Sequence, residues 1–484
     1  MSARTQLRAA AWQFLRERWR DRRLPVVVSL LLILSSAALA ASALSTHEYE
    51  RHRLAAQQTE RVTWRSQGAR NPHTVAHFSR FAFKQTQPAM LLDAGLSDYL
   101  GSAIWLEAHW QRPANFRAAD DRVDLGRFAD LHLAWVWQVL GALAIIVLGF
   151  DAVAGERERG TLALLAGNGI SLRRLIAGKA WGLVLLMGGT LLIAFLLAQT
   201  LAIALFPTLT ADNWLRAILW LLMHSAYLAT VVTVVVAVSV RARCARSALA
   251  WLLMIWVCCG LLLPRVAANV AERVQPLPSA AEFWLHVSHD LENGIDGDDP
   301  AVARAKALEA RTLAQYGVSS VAQLPVSYAA ISLQADEEYG NRVFDSRFGA
   351  LQRGYFDQGR LQLAFGVLSP VIALQVNSAG VAGSDMPHHL EFTRQAEAQR
   401  RVLIKQLNEE MIEHGAGRDF QYLARADFWQ TLPEVQIQTG SIKNMVPRYA
   451  ASSLMTLAWL VGAVLLLKGS SGGLNRESRH SFSR

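Results

Sequence analysis

Three histidines are the side chains of this sequence whose type and spacing most resemble a chemical site. His73 and His77 stand four residues apart, and His109 follows later in the chain. Imidazole nitrogens at such spacing can ligate a transition-metal ion. Two histidines four residues apart also occur by chance, so ordinary hydrogen-bonded histidines are the preferred interpretation. We therefore assign no metal to the chain and keep His73, His77 and His109 only as weak candidate ligands.

A second group of reactive side chains lies in residues 151–179, which separate two long apolar runs and are called the charged loop below. Its acidic residues are Asp151, Glu156 and Glu158, and its basic residues are Arg157, Arg159, Arg173, Arg174 and Lys179. Charged side chains are costly in the hydrocarbon of a bilayer. The charged loop is therefore predicted to lie in water beside the membrane and to offer its arginines to a partner protein or to phospholipid.

Catalytic motifs do not emerge from the sequence. The pair Gly178-Lys179 stands where a nucleotide-binding P-loop would end, but Arg173 replaces its first glycine and Ala180 replaces its Ser or Thr. The sequence also lacks the metalloprotease and serine-hydrolase motifs. The chain is thus predicted not to be an enzyme, with no catalytic residue and no cofactor of its own.

Membrane helices are the elements that must position these residues. Of the 484 residues, 52% are hydrophobic and only 18% are charged, which is unusual for a soluble protein. Several runs of about 20 apolar residues are long enough to cross a bilayer as helices. They are residues 24–44, 131–150, 180–206, 217–240, 247–263 and 449–467. The predicted fold class is an all-α membrane protein with six transmembrane helices.

The distribution of basic residues predicts the orientation of these helices. Lys and Arg exceed Asp and Glu strongly in residues 1–23, 151–179, 241–246 and 468–484, whereas acidic residues are in slight excess elsewhere. By the positive-inside rule these four segments, including both termini, are cytoplasmic. The protein is predicted to be a multi-pass protein of a bacterial inner membrane. Its basic charge then reflects orientation, and no nucleic-acid partner is expected.

The first segment, residues 1–23, is predicted to be an interfacial helix that lies on membrane lipids. Leu7, Ala11, Leu15 and Trp19 recur at helical spacing, and arginines fill the positions between them. A disordered basic tail is the alternative interpretation.

Two long segments, residues 45–130 and 264–448, are predicted to be mainly helical periplasmic insertions and are called the first and second insertions. The first span is expected to continue as a helix through residue 67. In the second insertion, Ser279 with Glu282 forms a capping box, and Asp385 begins a long helix that Gly415 ends. Residues 361–384 lack charge but contain polar residues, which favours a re-entrant segment over a seventh span.

A family resemblance rests on the charged loop. The residues that carry it are Phe150-Asp151, the run from Gly155 to Leu162, Leu164-Leu165 and Gly178-Lys179. Together with the six-span layout, they resemble the first cytoplasmic loop of ABC-2-type transporter permeases. The resemblance implies that this loop is a coupling element seated on a nucleotide-binding subunit. The coupling residues it implies are Glu156, Arg157, Glu158, Arg159, Gly160, Thr161, Leu162 and Leu165.

The insertions resemble those of a permease subgroup with large periplasmic insertions, an uncharacterised-domain family often paired with a second similar permease. The residues that carry this resemblance are Pro72 to Phe78, Leu106 to His109, Ser369-Pro370 and Ala379 to Asp385. The wider superfamily has a short loop where this chain has its second insertion. That difference argues against a simple lipid or drug exporter.

Taken together, these features predict a permease subunit of an ABC transporter. Its expected partners are an ABC ATPase dimer that binds ATP and Mg²⁺, a second permease that forms a homodimer or a paralogue heterodimer, membrane lipids and a periplasmic partner. One alternative is an ATPase-driven mechanical device whose periplasmic domains act on a partner protein without transport. A further alternative is a membrane-anchored metal-binding module.

Overall fold

Long apolar helices dominate the structure, a computed structural model that describes residues 2–78, 80–120 and 131–481. Within this part of the chain, six helical segments are long and apolar enough to cross a membrane. They are Arg23–Arg65, Leu133–Glu158, Leu172–Leu205, Ala211–Arg241, Ala245–Val274 and Ile442–Ser471. Each of the six predicted spans falls within or largely within one of these segments, which confirms the all-α membrane fold.

The membrane part begins with α1 (Ala3–Arg20) and α2 (Arg23–Arg65). The second span comprises α4 (Leu133–Trp135), a π-helical turn (Val136–Leu140) and α5 (Gly141–Gly149), and the charged loop holds α6 (Ala154–Glu158) and α7 (Thr161–Gly167). The later spans are α8 (Leu172–Leu205), α9 (Ala211–Arg241), α10 (Ala245–Trp256) with a π-helical turn (Val257–Leu262), and α19 (Ala450–Ser481). As predicted, α2 continues well beyond its apolar run.

Helix α1 is present, and residues of the predicted stripe lie on the face that packs against α8. Ala11 is buried together with Ala10, Phe14 and Arg18, whereas Trp19 is 63% exposed. A Cβ on Gly178 of α8 would meet the Leu7 carbonyl oxygen at 2.6 Å and the Ala11 backbone nitrogen at 3.3 Å. This glycine lets α1 approach α8 closely, while the contact of α1 with membrane lipids stays a prediction.

The insertions contain most of the remaining elements. The first holds α3 (Pro72–Ala76), β1 (Arg80–Phe83) and β2 (Ala103–Leu106). The second holds α11 (Leu263–Val274), α12 (Ala280–Asn293), α13 (Ala301–Tyr316), α14 (Tyr328–Ala364), α15 (Pro370–Ala382), α16 (Met386–His414), α17 (Phe428–Thr431) and α18 (Ile442–Met445). The strands pair antiparallel with Phe81 opposite Trp105. The sequence analysis missed this sheet because four-residue strands are too short to show a clear alternation.

The predicted helix ends of the second insertion are confirmed. Ser279 and Glu282 form a reciprocal capping box at the start of α12. The Asp385 side chain accepts a hydrogen bond from the His388 backbone at the start of α16, and Gly415 follows the last helical residue. Local capping chemistry therefore sets the length of these helices.

The two insertions pack into one body. Its central apolar cluster joins Trp64 of α2 and Val75 of α3 to Leu407 of α16 and to Trp429 of α17. The Trp64 indole also donates to the Trp429 carbonyl oxygen at 3.1 Å. Because α2 runs unbroken into this body, the first span and the insertions are mechanically continuous.

Helix α15 occupies the centre of the predicted re-entrant segment. Its 13 residues extend about 20 Å at 1.5 Å per residue, less than the roughly 30 Å of a bilayer core. Asn377 and Ser378 are fully buried. Asn377 donates to Thr456 at 3.1 Å, and Ser378 accepts from the Trp220 indole at 3.0 Å. Neighbouring spans thus bind the Asn377 and Ser378 side chains, while the re-entrant placement itself stays a prediction.

Candidate coupling surface

The charged loop is built on a buried ion pair between α6 and α8. The Lys179 ammonium lies 2.6 Å from the Glu156 carboxylate, and both side chains are less than one-tenth exposed. Lys179 also donates to the Ala152 carbonyl oxygen at 2.6 Å. The second carboxylate oxygen of Glu156 accepts from the Thr161 hydroxyl at 2.5 Å. The prediction that Glu156 lies in water is therefore wrong, since its partners are inside the protein.

Asp151 is a second residue that the sequence analysis placed in water. Its carboxylate lies 2.5 Å from Arg18 and 3.0 Å from Arg23, and Arg18 is buried. Arg18 also donates to the Leu148 carbonyl oxygen at 3.0 Å. This network fixes α1 and the start of α2 to the end of the second span. A buried carboxylate between two guanidinium groups is neutralised at short range, which makes its burial tolerable.

Arg157 was predicted to offer its charge to a partner, and the structure corrects this as well. Its guanidinium donates to the carbonyl oxygens of Val240, at 2.7 Å, and of Ala242. These carbonyls lie at the end of α9, where the last backbone acceptors have no partner inside the helix and where positive charge is favourable. Arg157 therefore caps α9.

Glu158 makes a comparable contact at the start of the next span. Its exposed carboxylate accepts from the Ala245 backbone at 3.1 Å, at the first turn of α10. A carboxylate at this place satisfies a free backbone N–H and opposes the helix dipole. The charged residues of α6 thus reach three different spans, α8, α9 and α10.

Helix α7 carries the outward surface of the charged loop. Gly160, with φ of 75°, turns the chain between α6 and α7, a left-handed conformation that glycine adopts without strain. Leu162 is buried, and the partly buried Leu165 packs against the apolar core that the spans form. By contrast, Leu164 is 67% exposed.

The exposed part of the charged loop, called the coupling surface below, consists of Glu158, Arg159, Gly160, Ala163, Leu164, Gly167, Asn168, Gly169, Arg173, Arg174 and Ala177. Of the residues that the resemblance implied, Glu158, Arg159 and Gly160 lie on this surface. Glu156 and Leu162 lie behind it. Leu164 also lies on this surface although the predicted coupling set does not include it, and helical spacing from Leu162 and Leu165 could have placed it on the opposite face.

Arg216 is a buried charge that sequence reasoning did not use. Its side chain is fully buried at the start of α9 and lies 2.7 Å from the Asp212 carboxylate. It donates to the carbonyl oxygens of Val381, at 3.0 Å, and of Gly440, at 2.6 Å. Arg216 therefore caps the end of α15. The spacing of Asp212 and Arg216, four residues apart on a helix, is the signal that could have shown the ion pair.

The three candidate histidines also meet in the structure. His73 and His77 lie on one side of the segment around α3, and His109 follows β2. One potential ligand atom from each lies within 4.8 Å of those of the other two. The fold brings together the three rings that the sequence analysis kept as weak candidate ligands, and its preference for ordinary histidines stays untested.

Within the residues that the structure describes, six apolar helical segments joined in part by a charged loop define a multi-pass membrane protein. The chain belongs to the ABC-2 family transporter proteins, whose family matches residues 8–296. A second match, to a domain of unknown function (DUF3526), covers residues 280–438. No curated protein and no solved structure matches the chain. The protein is thus a transmembrane component of an ABC transporter, and the matches span the charged loop and most of the second insertion.

Proposed function

We propose that this chain is the permease subunit that receives the motion of a separate ABC ATPase through the coupling surface. The proposal rests on the different contacts that neighbouring residues of the charged loop make. Glu156, Arg157 and Glu158 bind other parts of the chain, while Leu164 is left exposed beside them. An apolar residue with charged groups around it fits the usual layout of a protein interface, in which an apolar centre has a polar rim.

The contacts between α6 and the spans explain how a displacement of α7 would move those spans. Glu156 is bound to Lys179 of α8, and Arg157 is bound to the end of α9. Short buried ion pairs and helix caps resist separation because each partner would be left without compensation. A force on α7 would therefore move α8, α9 and the start of α10 together as ATP binding closes the ATPase dimer.

A second permease, either another copy or a paralogue, would complete the pathway. ATPases of this kind work as dimers, so two permease subunits would sit on two ATPase subunits. Movement between the spans of the two permeases would then carry substrate across the inner membrane, with both termini and the charged loop in the cytoplasm. ATP and Mg²⁺ would be bound by the ATPase, and this chain would perform no catalysis.

Co-purification tests the proposal. An ATPase should co-purify with the wild-type chain from its native membrane and should be lost with Leu164→Glu, which places a charge at the centre of the coupling surface. Val302→Glu is the matched control, because Val302 is 68% exposed on α13, far along the chain in the second insertion. Equal recovery of the ATPase with both variants would contradict the proposal.

A mechanical device that acts on a partner protein is the second candidate function, and one observation favours it. Helix α2 has 43 residues and is about 65 Å long at 1.5 Å per residue, so it joins the first span rigidly to the body of the insertions. Sealed vesicles that contain the permease and its ATPase separate the two functions. ATP-dependent movement of a solute supports transport, whereas ATP-dependent change in the insertions without solute movement supports the mechanical function.

A further inference from the structure

Three histidines, His73, His77 and His109, lie close together in the structure. Their arrangement supports an inference beyond transport. Helix α3 presents His73, and His77 follows one turn later. The Ala108 backbone donates to the Ala76 carbonyl oxygen at 3.1 Å. This bond holds the residue before His109 against the residue before His77, so the backbone places the two histidines side by side.

The separation of the ring nitrogens suits a metal ion better than a hydrogen bond. Nε2 of His73 and Nε2 of His77 are 3.4 Å apart, which is longer than the roughly 2.7–3.2 Å of most hydrogen bonds with a nitrogen donor. In tetrahedral zinc sites, Zn–N bonds of about 2.0–2.1 Å place two ligand nitrogens roughly 3.4 Å from each other. The ring of His109 lies 5.4 Å from that of His73 and 5.3 Å from that of His77, measured between centroids.

A buried carboxylate orients the third histidine. Nδ1 of His109 lies 3.0 Å from the Glu337 carboxylate, whose side chain is only 4% exposed. The other carboxylate oxygen of Glu337 accepts from the buried Arg400 at 3.0 Å. With its Nδ1 proton donated to Glu337, His109 keeps its lone pair on Nε2. A histidine held in this way by a carboxylate is the usual arrangement behind a metal ligand.

We propose that His73, His77 and His109 form a binding site for a divalent transition-metal ion, with Zn²⁺ as the best-fitting ion, on the body of the insertions. Three imidazole ligands suit Zn²⁺, Cu²⁺ and Ni²⁺ and do not suit Mg²⁺ or Ca²⁺. All three histidines are half-buried, so water can reach the fourth coordination position. Three protein ligands with one open position describe a site that can exchange its ion or take a small ligand.

Substitution of His109 is the most specific test of the metal site. Its φ of 66° is in the left-handed region, which asparagine tolerates better than most residues. His109→Asn therefore removes the imidazole without straining the backbone. His77→Ala is the second variant, and His286→Ala is the matched control because His286 is exposed on α12 outside the cluster.

The test uses the full chain purified in detergent after treatment with a chelator. Titration with Zn²⁺ should show one ion bound per chain and should raise the thermal midpoint, since binding to the native state stabilises it. The rise should persist in His286→Ala and should vanish in His109→Asn and His77→Ala, with circular dichroism showing that each variant retains its helices. Co²⁺ in place of Zn²⁺ should give the strong visible absorption of tetrahedral coordination.

Glu337→Gln tests the positioning role separately. It keeps an acceptor for His109 but loses the charge, and affinity for Zn²⁺ should fall about tenfold to 100-fold without loss of stoichiometry. The proposal is overturned if the wild-type chain binds no Zn²⁺. It is also overturned if both histidine variants, folded by circular dichroism, bind Zn²⁺ as tightly as His286→Ala.

Discussion

The charged loop and helix α15 both place polar groups next to long apolar helices, and they do so by different means. In the charged loop, Glu156 and Lys179 are ions that neutralise each other at 2.6 Å. In α15, Asn377 and Ser378 are neutral and bind side chains of neighbouring spans. The charged loop keeps an outward face with Leu164 exposed, whereas Asn377 and Ser378 of α15 are fully buried.

This difference indicates two distinct tasks. A buried ion pair with an exposed apolar residue in front of it is suited to transmit force from a partner, because the pair is rigid and the surface is free to bind. A short helix whose buried Asn377 and Ser378 side chains are bound by neighbours is suited to fixed packing between spans.

The largest loss is expected from Glu156→Ala. The substitution leaves the Lys179 ammonium buried without its carboxylate, which costs about 3–5 kcal/mol in comparable buried pairs. The free energy of unfolding in detergent measures the loss. The double variant Glu156→Met with Lys179→Met should recover most of the stability, since a buried pair can be replaced by apolar groups of similar volume. A loss below about 1 kcal/mol for the single variant would show that the pair is effectively solvated.

A smaller loss is expected from Gly380→Ala in α15. An added Cβ would overlap the Tyr449 ring, and overpacking of this kind costs about 1–3 kcal/mol. Gly359→Ala in α14 is the control, because nothing lies within 4 Å of the added Cβ there. That control should be stabilised by about 0.5–1 kcal/mol through helix propensity. Equal thermal midpoints for the two variants would disprove the close packing of α15.

The stability of the fold should depend on pH through Asp385, which lies at the start of α16, just after α15. Burial alone would raise the pKa of Asp385, but hydrogen bonds from His388 and Tyr449 lower it below its usual value. Asp385 therefore stabilises the fold above the pKa of its unfolded state, near 3.8, and this contribution is lost as the pH falls through the folded-state pKa.

Two substitutions at Asp385 separate charge from capping. Asp385→Asn keeps a capping side chain but cannot ionise. The variant should therefore lose less stability than the wild type as the pH falls into the acid range. Asp385→Ala should also remove about 1 kcal/mol at neutral pH, because the N-cap hydrogen bond is lost. Thermal midpoints measured across the acid range provide the check, and a loss in Asp385→Asn equal to that of the wild type would contradict the assignment.

The smallest effect on stability is expected on the coupling surface. Arg159 is exposed, so Arg159→Ala should change the free energy of unfolding by less than about 0.5 kcal/mol. It should nevertheless weaken association with the ATPase, and more so at low salt, where surface charges are less screened. A loss of stability as large as that of Glu156→Ala would show that Arg159 belongs to the internal network instead.

Composition and local capping determined what the sequence could predict. Six apolar runs and the capping residues Ser279 and Asp385 identify their elements, because length and local hydrogen bonding fix them. The pairing of Arg18 with Asp151 joins residues 133 positions apart, and the sequence contains no local signal for it. The convergence of His73 with His109 depends in the same way on a backbone contact between α3 and the segment after β2.

The charged loop shows most clearly what could not be predicted from the sequence. Its motif led to the correct family, yet the motif did not distinguish residues that face a partner from residues that hold the loop. Glu156 and Leu164 differ in this respect only through their contacts, one with Lys179 and the other with solvent. A pattern of residue types indicates a function, and the packing of the surrounding spans decides which of those residues perform it.

Cross-linking from position 164 tests the central claim most directly. A photoreactive amino acid at Leu164, introduced into the full chain in its native membrane, should form a covalent product with an ABC ATPase, and ATP should change its yield. The same amino acid at Val302 serves as the control and should form no such product. An ATPase product from position 302 alone, or from neither position in a membrane that contains the assembled transporter, would contradict the assignment of the coupling surface.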